Sequence, residues 1–275
     1  MLGFGGDFGE DGMRTILGAA ALACAIASAP AAALAAARAG LPDWSGVWNP
    51  AEANIFDPHA LPPPAANAIP GYFPETSSAR EYPPYTAEYE AKYKATLDLA
   101  VKGVGTDPTG VCIPPGFPRI MTTPMPMEYI LEPHRVTILF EGYFQVRRIW
   151  TDGRPHPAEA ELTYNGHSTG RWEGDTLVVD TVGLRGDTIF DVTGAPHSDA
   201  MHVTERIRRT GPDMMEDRIT VEDPKAFTRP WVVTRTYKRQ PAWQIAEYVC
   251  EENQRNPRNP DGSTAFLAAA PEPGR

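Results

Sequence analysis

From Glu128 to Cys250 the chain alternates apolar and polar side chains with a period of two, and this pattern constrains its fold more than any other feature. Side chains of a β-strand point alternately to opposite faces, so the alternation predicts half-buried strands. Turn residues separate nine such segments: EYILEP, RVTILFEG, FQVRRIWTDG, STGRWEG, DTLVVDTVGL, MHVTERIRRTG, MEDRITVED, PWVVTRTYKRQ and WQIAEYVC. The pattern therefore predicts nine strands.

The nine segments follow one another through turns, with no helical pattern between them, which predicts a meander of hairpins. An open meander leaves two edges with unpaired backbone groups, and closure removes both edges. We therefore expect an all-β, mainly antiparallel domain at residues 128–253, folded as a closed up-and-down barrel. The alternative is an open two-sheet β sandwich.

A Pro-rich arm with one helix precedes the predicted barrel, at residues 40–127. Its prolines cannot donate ladder hydrogen bonds, so most of the arm is expected to be extended or irregular. The exception is a predicted helix over 86–102, with Thr86 as its N-cap and Gly103 at its end. Apolar residues recur at every fourth position of this helix, namely Tyr89, Tyr93, Leu97 and Val101. Residues 254–275 are predicted to be a disordered tail.

Residues 1–39 are predicted not to belong to the mature protein. Residues 13–39 place Arg14 before an apolar Ala/Leu/Ile run that ends in small residues, which is typical of a secretory signal peptide. The stretch before Met13 is acidic and Gly-rich, which indicates a mis-called start. We therefore expect a periplasmic or secreted protein with no transmembrane anchor.

Composition narrows the possible partners. A net charge of -10 gives no basic face for a phosphate backbone, so nucleic acid is not an expected partner. The sequence has no loop typical of phosphate binding and no histidine pair at metal-ligand spacing, so no cofactor and no metal are predicted. In an exported chain Cys112 and Cys250 are expected to form a disulfide, with two buried free thiols as the alternative.

Two sets of residues resemble known families. In DWSGVWNP, Gly46 and Trp48 are similar to the Gly-x-Trp motif on the first strand of lipocalins, in which the Trp closes one end of the barrel. From about Cys112 to Asn253 the chain resembles a large family of uncharacterised exported bacterial proteins, which share blocks similar to RRIWTDGRPHP, GHSTGRWEGDTLVVDTVG, HSDAMHVTERIRR and EDPKAFTRPW. The resemblances imply an exported protein with a calycin/lipocalin-like barrel, and they imply no catalytic residues.

Three predicted strands each place one ionisable side chain on an otherwise apolar face. These are Glu205 beside Val203 and Ile207, Arg235 beside Trp231, Val233 and Tyr237, and Glu247 beside Ile245 and Val249. A desolvated charge persists only when it is paired, so we expect Glu205, Arg235 and Glu247 to form a cluster inside the barrel. The cluster would be either a structural plug that fixes the register or a ligand-binding or acid/base site, because burial raises the pKa of a carboxyl group.

The histidines form a second set of candidates. His156, His167 and His197 lie in Gly- and Pro-containing loops between the predicted strands. If the loops that hold His167 and His197 meet at one mouth of the barrel, these side chains would rim a cavity together with Asp152 and Arg154 and exchange protons there. The alternative is that they are turn residues bonded to their own backbones.

Three functional hypotheses follow from the sequence. The first is an exported barrel that binds a small apolar or aromatic molecule in its interior, with Arg235, Glu247, Trp231, Tyr237, Asp152 and Arg154 as ligand-binding residues. The second is a cofactor-independent acid/base enzyme, a lyase, isomerase or hydrolase, with His167, His197 and Glu205 as catalytic residues. The third is a structural or interaction module of the cell envelope that uses the Pro-rich arm.

Overall fold

The computed structural model describes residues 40–51, 83–101, 104–105, 107–253 and 264–265. Nine strands in these ranges form a closed barrel, which confirms the predicted barrel and excludes the open sandwich. The predicted signal peptide at 13–39 lies outside the described residues. So do residues 52–82 of the Pro-rich arm, on which the envelope-module hypothesis depends.

The barrel strands are short and consist of the predicted segments with one exception. They are β1 (Val47–Pro50), β3 (Met127–Glu132), β4 (Arg135–Phe140), β5 (Val146–Trp150), β6 (His167–Glu173), β7 (Thr176–Val182), β8 (His202–Gly211), β9 (Met214–Glu222) and β10 (Trp231–Gln240). Outside the barrel, β2 (Val104–Gly105) pairs with β11 (Thr264–Ala265), which lies in the predicted tail. The helices longer than a 3-10 turn in the described ranges are α1 (Ala87–Val101) and α2 (Cys250–Asn253).

Around the barrel the strand order is β1, β10, β9, β8, β7, β6, β5, β4 and β3, and β3 pairs with β1. Neighbouring strands are antiparallel except β5 and β6, which run parallel. Residues 151–166 carry the chain from the end of β5 back to the level of its start. From β3 to β10 the predicted order of neighbouring strands is therefore correct, and the antiparallel direction fails only at the β5–β6 pair.

The strand that closes the barrel is not the predicted ninth segment. Residues 243–249 form no strand, and β1 lies between β10 and β3 instead. Because β1 pairs with both neighbours, no free sheet edge remains for residues 243–249. Gly46 has a φ of 98°, a conformation that favours glycine, and it lets the chain turn directly into β1.

The segment after β10 instead crosses the outside of the barrel. A disulfide joins Cys250 to Cys112, with a Cα–Cα distance of 5.6 Å. On the way to this bridge the Ala246 backbone N–H donates to the Glu141 carboxylate at 2.8 Å. The disulfide thus ties the C-terminal segment to the loop that precedes β3.

The predicted helix is confirmed as α1. Tyr93 is fully buried on its inner face, and Tyr89 and Leu97 are partly buried against the same core, as their spacing predicts. Thr86 precedes the helix, but its hydroxyl donates to the Lys225 carbonyl at 3.3 Å and does not cap the helix. Among the described helices, none is long and apolar enough to cross a membrane.

Aromatic rings fill the barrel interior beside β1. The Trp48 side chain is fully buried, and its indole N–H donates to the Trp44 carbonyl at 3.0 Å. The Trp44 ring meets Tyr129 edge-on at 5.4 Å and Trp172 at 5.1 Å. Trp48 thus holds Trp44, whose ring contacts β3 and β6, and we expect the packing around the closing strand to depend on Trp48.

We expect Trp48→Ala to reduce the free energy of unfolding by about 3–5 kcal/mol, because it leaves a large cavity at the closing strand. Urea unfolding followed by circular dichroism measures this change. The control is Val232→Ala on the outer face of β10, where the side chain is 40% exposed and the expected loss is below about 1 kcal/mol. Equal losses in the two variants would contradict the role assigned to Trp48.

Candidate functional site

A buried ion pair crosses the barrel interior from β5 to β8. Arg147 donates to both carboxylate oxygens of Glu205, at 2.8 and 2.5 Å, and both side chains are excluded from solvent. The same guanidinium donates to Ser168 Oγ at 3.2 Å and to Thr181 Oγ1 at 3.0 Å, on β6 and β7. The Phe117 ring covers it at 3.7 Å. Glu205 thus lies inside the barrel, but its partner is Arg147 and not Arg235.

Arg235 lies opposite a different carboxyl group. Its strand partner on β9 is Asp217, which is diagonal to Glu205 on the neighbouring strand, and all three side chains are buried. No described residue donates a hydrogen bond to the Asp217 carboxyl group. The hydroxyl groups of Tyr129 and Tyr237 are likewise buried without a partner among the described residues. The interior therefore contains a polar layer that its own side chains satisfy only in part.

Burial is the main cause that raises the pKa of Asp217 well above its usual range, and the negative charge of Glu205 raises it further. The positive charges of Arg147 and Arg235 act in the opposite direction. The two carboxyl groups do not meet hydrogen-bond geometry, so we assign the shift to burial and charge and not to a shared proton. Asp217 is therefore neutral under conditions in which an exposed aspartate is ionised.

The third predicted member of the interior cluster is elsewhere. Glu247 is exposed on the segment 243–249, and its placement inside the barrel was wrong because this segment forms no strand. Trp231 and Tyr237 do face the interior from β10, where both are buried. The alternation that identified Glu205 also places Arg147 and Asp217 inward, so applying it to β5 and β9 would have found both residues.

The barrel wall opens at the β5–β6 junction. Only two residue pairs join these strands, Ile149 with Ser168 and Trp150 with Thr169. Before these pairs, a cleft of about 440 Å³ separates the two chain segments. We call it the wall cleft; it is lined by Gln145, Val146, Arg148 and Trp150 on one side and by Thr163, Tyr164, Asn165, Gly166, His167 and Ser168 on the other.

Gly166 places His167 at this cleft. Its φ is 62°, and a Cβ atom at this position would lie 2.5 Å from the Val182 carbonyl oxygen, so the sharp entry into β6 requires glycine. The next residue after His167, Ser168, points inward to Arg147. Of two adjacent residues of β6, His167 thus lines the cleft and Ser168 bonds to the buried ion pair.

Four side chains form a hydrogen-bonded series on the outer surface of the barrel, which we call the histidine chain. His167 Nδ1 lies 2.8 Å from His156 Nδ1, and His156 Nε2 lies 2.7 Å from Asp180 Oδ1. The second carboxylate oxygen of Asp180 lies 2.8 Å from His202 Nε2. His202 Nδ1 is in turn 3.4 Å from the Glu222 carboxylate. One end of the histidine chain is therefore His167, in the wall cleft.

The order of contacts fixes the protons of the histidine chain. Asp180 can only accept, so His156 donates to it from Nε2 and, when neutral, presents a bare Nδ1. That Nδ1 accepts a hydrogen bond, so His167 donates to it from its own Nδ1. His167 then carries its lone pair on Nε2, which no described residue engages. This is the tautomer that a general base requires.

Burial is the main cause that lowers the pKa of His167, and its electrostatic interactions with His156 and Arg154 lower it further. Arg154 is itself held by Asp152, through contacts at 2.9 and 3.0 Å from its Nε, and its guanidinium lies 3.8 Å from the Trp150 ring. Asp152 and Arg154 are thus exposed residues beside the wall cleft, and Arg154 acts on His167 through its charge. They do not rim the barrel interior.

His197 does not belong to the same site. It is fully buried, with its Nε2 2.8 Å from the Thr188 hydroxyl and its Nδ1 3.1 Å from the Ser198 carbonyl. Its ring packs against Phe190, and burial lowers its pKa. None of its described contacts is with His167, so His197 is not a second member of the site at the wall cleft. His197 is a core residue whose ring nitrogens both contact neighbouring polar atoms.

The functional residues that sequence reasoning missed are Asp180 and the pairing of His156 with His167. No sequence pattern indicates this pairing, because the connection 151–166 brings together residues that the alternation along single strands does not relate. Within the described ranges, no group of three His, Cys, Asp or Glu side chains is arranged to hold a metal ion. No family model and no curated protein matches the chain.

Two substitutions separate the roles of the buried carboxyl groups. Folded protein retains a proton on Asp217 that the unfolded chain releases above its ordinary pKa of 3.8. The free energy of unfolding therefore falls as pH rises from about 4 towards the raised pKa of Asp217. We expect Asp217→Asn to gain stability relative to wild type across this window, measured by urea unfolding at a series of pH values.

Glu205→Gln should instead lose about 3–5 kcal/mol at neutral pH, because it leaves the Arg147 charge buried without its counterion. Glu216→Gln, which removes the partner of Arg208 on the surface of β9, is the control and should cost less than about 1 kcal/mol. A stability difference between Asp217→Asn and wild type that does not change with pH would refute the buried-proton assignment.

Proposed function

We propose that this protein is a cofactor-independent acid–base enzyme, of the lyase, isomerase or hydrolase type, which acts on a small molecule in the wall cleft. The observation that carries the proposal is the histidine chain, because it leaves the Nε2 lone pair of His167 available at a cleft. A positioned histidine that is oriented by a second group, itself oriented by a carboxylate, is the arrangement of a general base. His156 and Asp180 are the positioning residues in this scheme.

The proposed step is the transfer of one proton. His167 Nε2 accepts a proton from the substrate and becomes positively charged, while its Nδ1–H remains bonded to His156. The carboxylate of Asp180 holds the His156 ring in place through its hydrogen bond to Nε2, and His156 in turn accepts from the charged His167 ring. Because the pKa of His167 is lowered from its ordinary 6.5, the ring is mainly neutral at pH 7 and its Nε2 lone pair can accept a proton.

The proposal is tested by His167→Asn. We expect proton-transfer activity to fall by about 100-fold or more, because loss of a general base removes this much. The assay follows deuterium incorporation from D2O into a mixture of small organic acids, ketones and sugars by NMR. His134→Asn, at an exposed turn between β3 and β4, is the matched control and should keep wild-type activity.

A second measurement needs no substrate. Nitrogen-15 NMR should find His167 protonated on Nδ1 with a pKa below its ordinary 6.5, and Arg154→Gln should raise that pKa because it removes a positive charge. The rate should decline with falling pH through the same value. A proton on Nε2 of neutral His167, or full activity in His167→Asn, would overturn the proposal.

Interior binding of a small apolar or aromatic molecule is the second candidate. It is favoured by the buried polar groups of Tyr129, Tyr237 and Asp217, since each unsatisfied group costs about 1–3 kcal/mol and a bound molecule with polar substituents would satisfy them. Export to the periplasm or medium and kinship with the exported bacterial family are further parts of the proposal, supported by residues 13–39 and by the blocks described above.

Thermal unfolding with a panel of small aromatic compounds tests interior binding. A ligand at about 100 times its dissociation constant should add about 2.7 kcal/mol to the free energy of unfolding. Tyr237→Phe should reduce this gain, whereas His167→Asn should not. If no compound stabilises the wild-type protein, or if both variants respond as wild type does, interior binding is refuted.

A further inference from the structure

We propose that the wall cleft takes a small organic carboxylate with an apolar or aromatic body, and that Arg148 is the residue that selects it. The inference rests on the proposed function in one respect only, since it assigns a substrate class to the same cleft. It concerns binding and not proton transfer, so it is tested without any turnover.

The charge of the cleft lining differs from that of the whole chain. The chain has 35 acidic and 25 basic residues, yet the lining contains Arg148 and His167 and no carboxylate. Its other side chains are hydroxyl, amide, aromatic or aliphatic groups. Because the rest of an acidic protein repels anions, a cleft without carboxylates and with an arginine is the place where an anion gains most from contact.

Arg148 is the uncompensated cation of this region. Arg147, beneath the cleft, is paired with Glu205, and Arg154 beside it is paired with Asp152. The side chain of Arg148, on the outer face of β5, forms no hydrogen bond or ion pair with any residue that the structure describes, and it is exposed to solvent. The N–H groups of its guanidinium are therefore available to donate hydrogen bonds to a ligand.

The geometry of a guanidinium favours a carboxylate. Arginine presents two parallel N–H donors that match the two oxygens of a carboxylate. The Trp150 and Tyr164 side chains in the same lining offer apolar surface to the rest of the molecule. A volume of about 440 Å³ suits a compact organic acid, with His167 in the same lining as Arg148.

The test titrates the full-length protein with benzoate and with benzamide, which has the same ring but no charge. Binding is followed by NMR through the indole N–H signal of Trp150. This signal is assigned as the one that is missing from the spectrum of Trp150→Phe. We expect saturable binding of benzoate that weakens about 10-fold or more in Arg148→Gln, because a hydrogen-bonded charge pair is lost. Benzamide should bind weakly and equally to both proteins.

Arg218→Gln is the matched control, because Arg218 is also exposed, makes no described ion pair, and lies on β9, three strands away from β6. It removes the same charge and should leave benzoate binding unchanged. Equal binding of benzoate and benzamide, equal weakening in the two arginine variants, or no saturation with benzoate would overturn the inference. Displacement of benzoate by equimolar inorganic phosphate would overturn the assignment to carboxylates.

The outcomes separate this inference from the proposed function. If benzoate binding depends on Arg148 while His167→Asn retains all activity, the acid–base proposal fails and the carboxylate site stands. If His167→Asn is inactive and Arg148→Gln binds benzoate normally, the carboxylate site is refuted and the acid–base proposal stands.

Discussion

The buried pair of Arg147 and Glu205 is the interaction on which the rest of the barrel depends. Burying two charges costs several kcal/mol for each ion, and the cost is offset only when the remaining donors are also satisfied. Ser168 and Thr181 accept from the same guanidinium, so one side chain of β5 bonds to β6, β7 and β8 together. This bonding fixes the register of the strands on both sides of the parallel junction, where the sheet itself contributes least.

That junction links the interior to the proposed site. A parallel pair of only two residue pairs leaves the wall open before Ile149 and Ser168, and the opening is the wall cleft. Since side chains alternate along β6, His167 faces the cleft while Ser168 bonds to the buried arginine. The buried ion pair thereby holds Ser168, the residue next to the proposed base. A catalytic site needs such support from its surroundings to keep its geometry in the absence of substrate.

Much of the fold was predictable from local pattern, and the errors have one physical origin. The alternation after Glu128 located eight of the nine barrel strands, and the four-residue spacing located α1. It misplaced Glu247 because residues 243–249 have the pattern of a strand but find no free edge beside β10, which pairs with β1. The alternation of apolar and polar residues indicates which side chains are buried. It does not indicate which strand pairs with a given edge of the sheet, and here β1 takes the edge of β10.

By itself the sequence determined the closed barrel, the helix and the inward placement of Glu205 and Arg235, because these follow from the period of apolar residues and from the cost of a free edge or an unpaired charge. Only the tertiary structure decided that Arg147 is the partner of Glu205, that β1 closes the barrel, and that His167, His156 and Asp180 are joined by hydrogen bonds. The reason is that these contacts join residues far apart in sequence, and no local periodicity encodes which distant strand reaches an edge or where the β5–β6 connection runs.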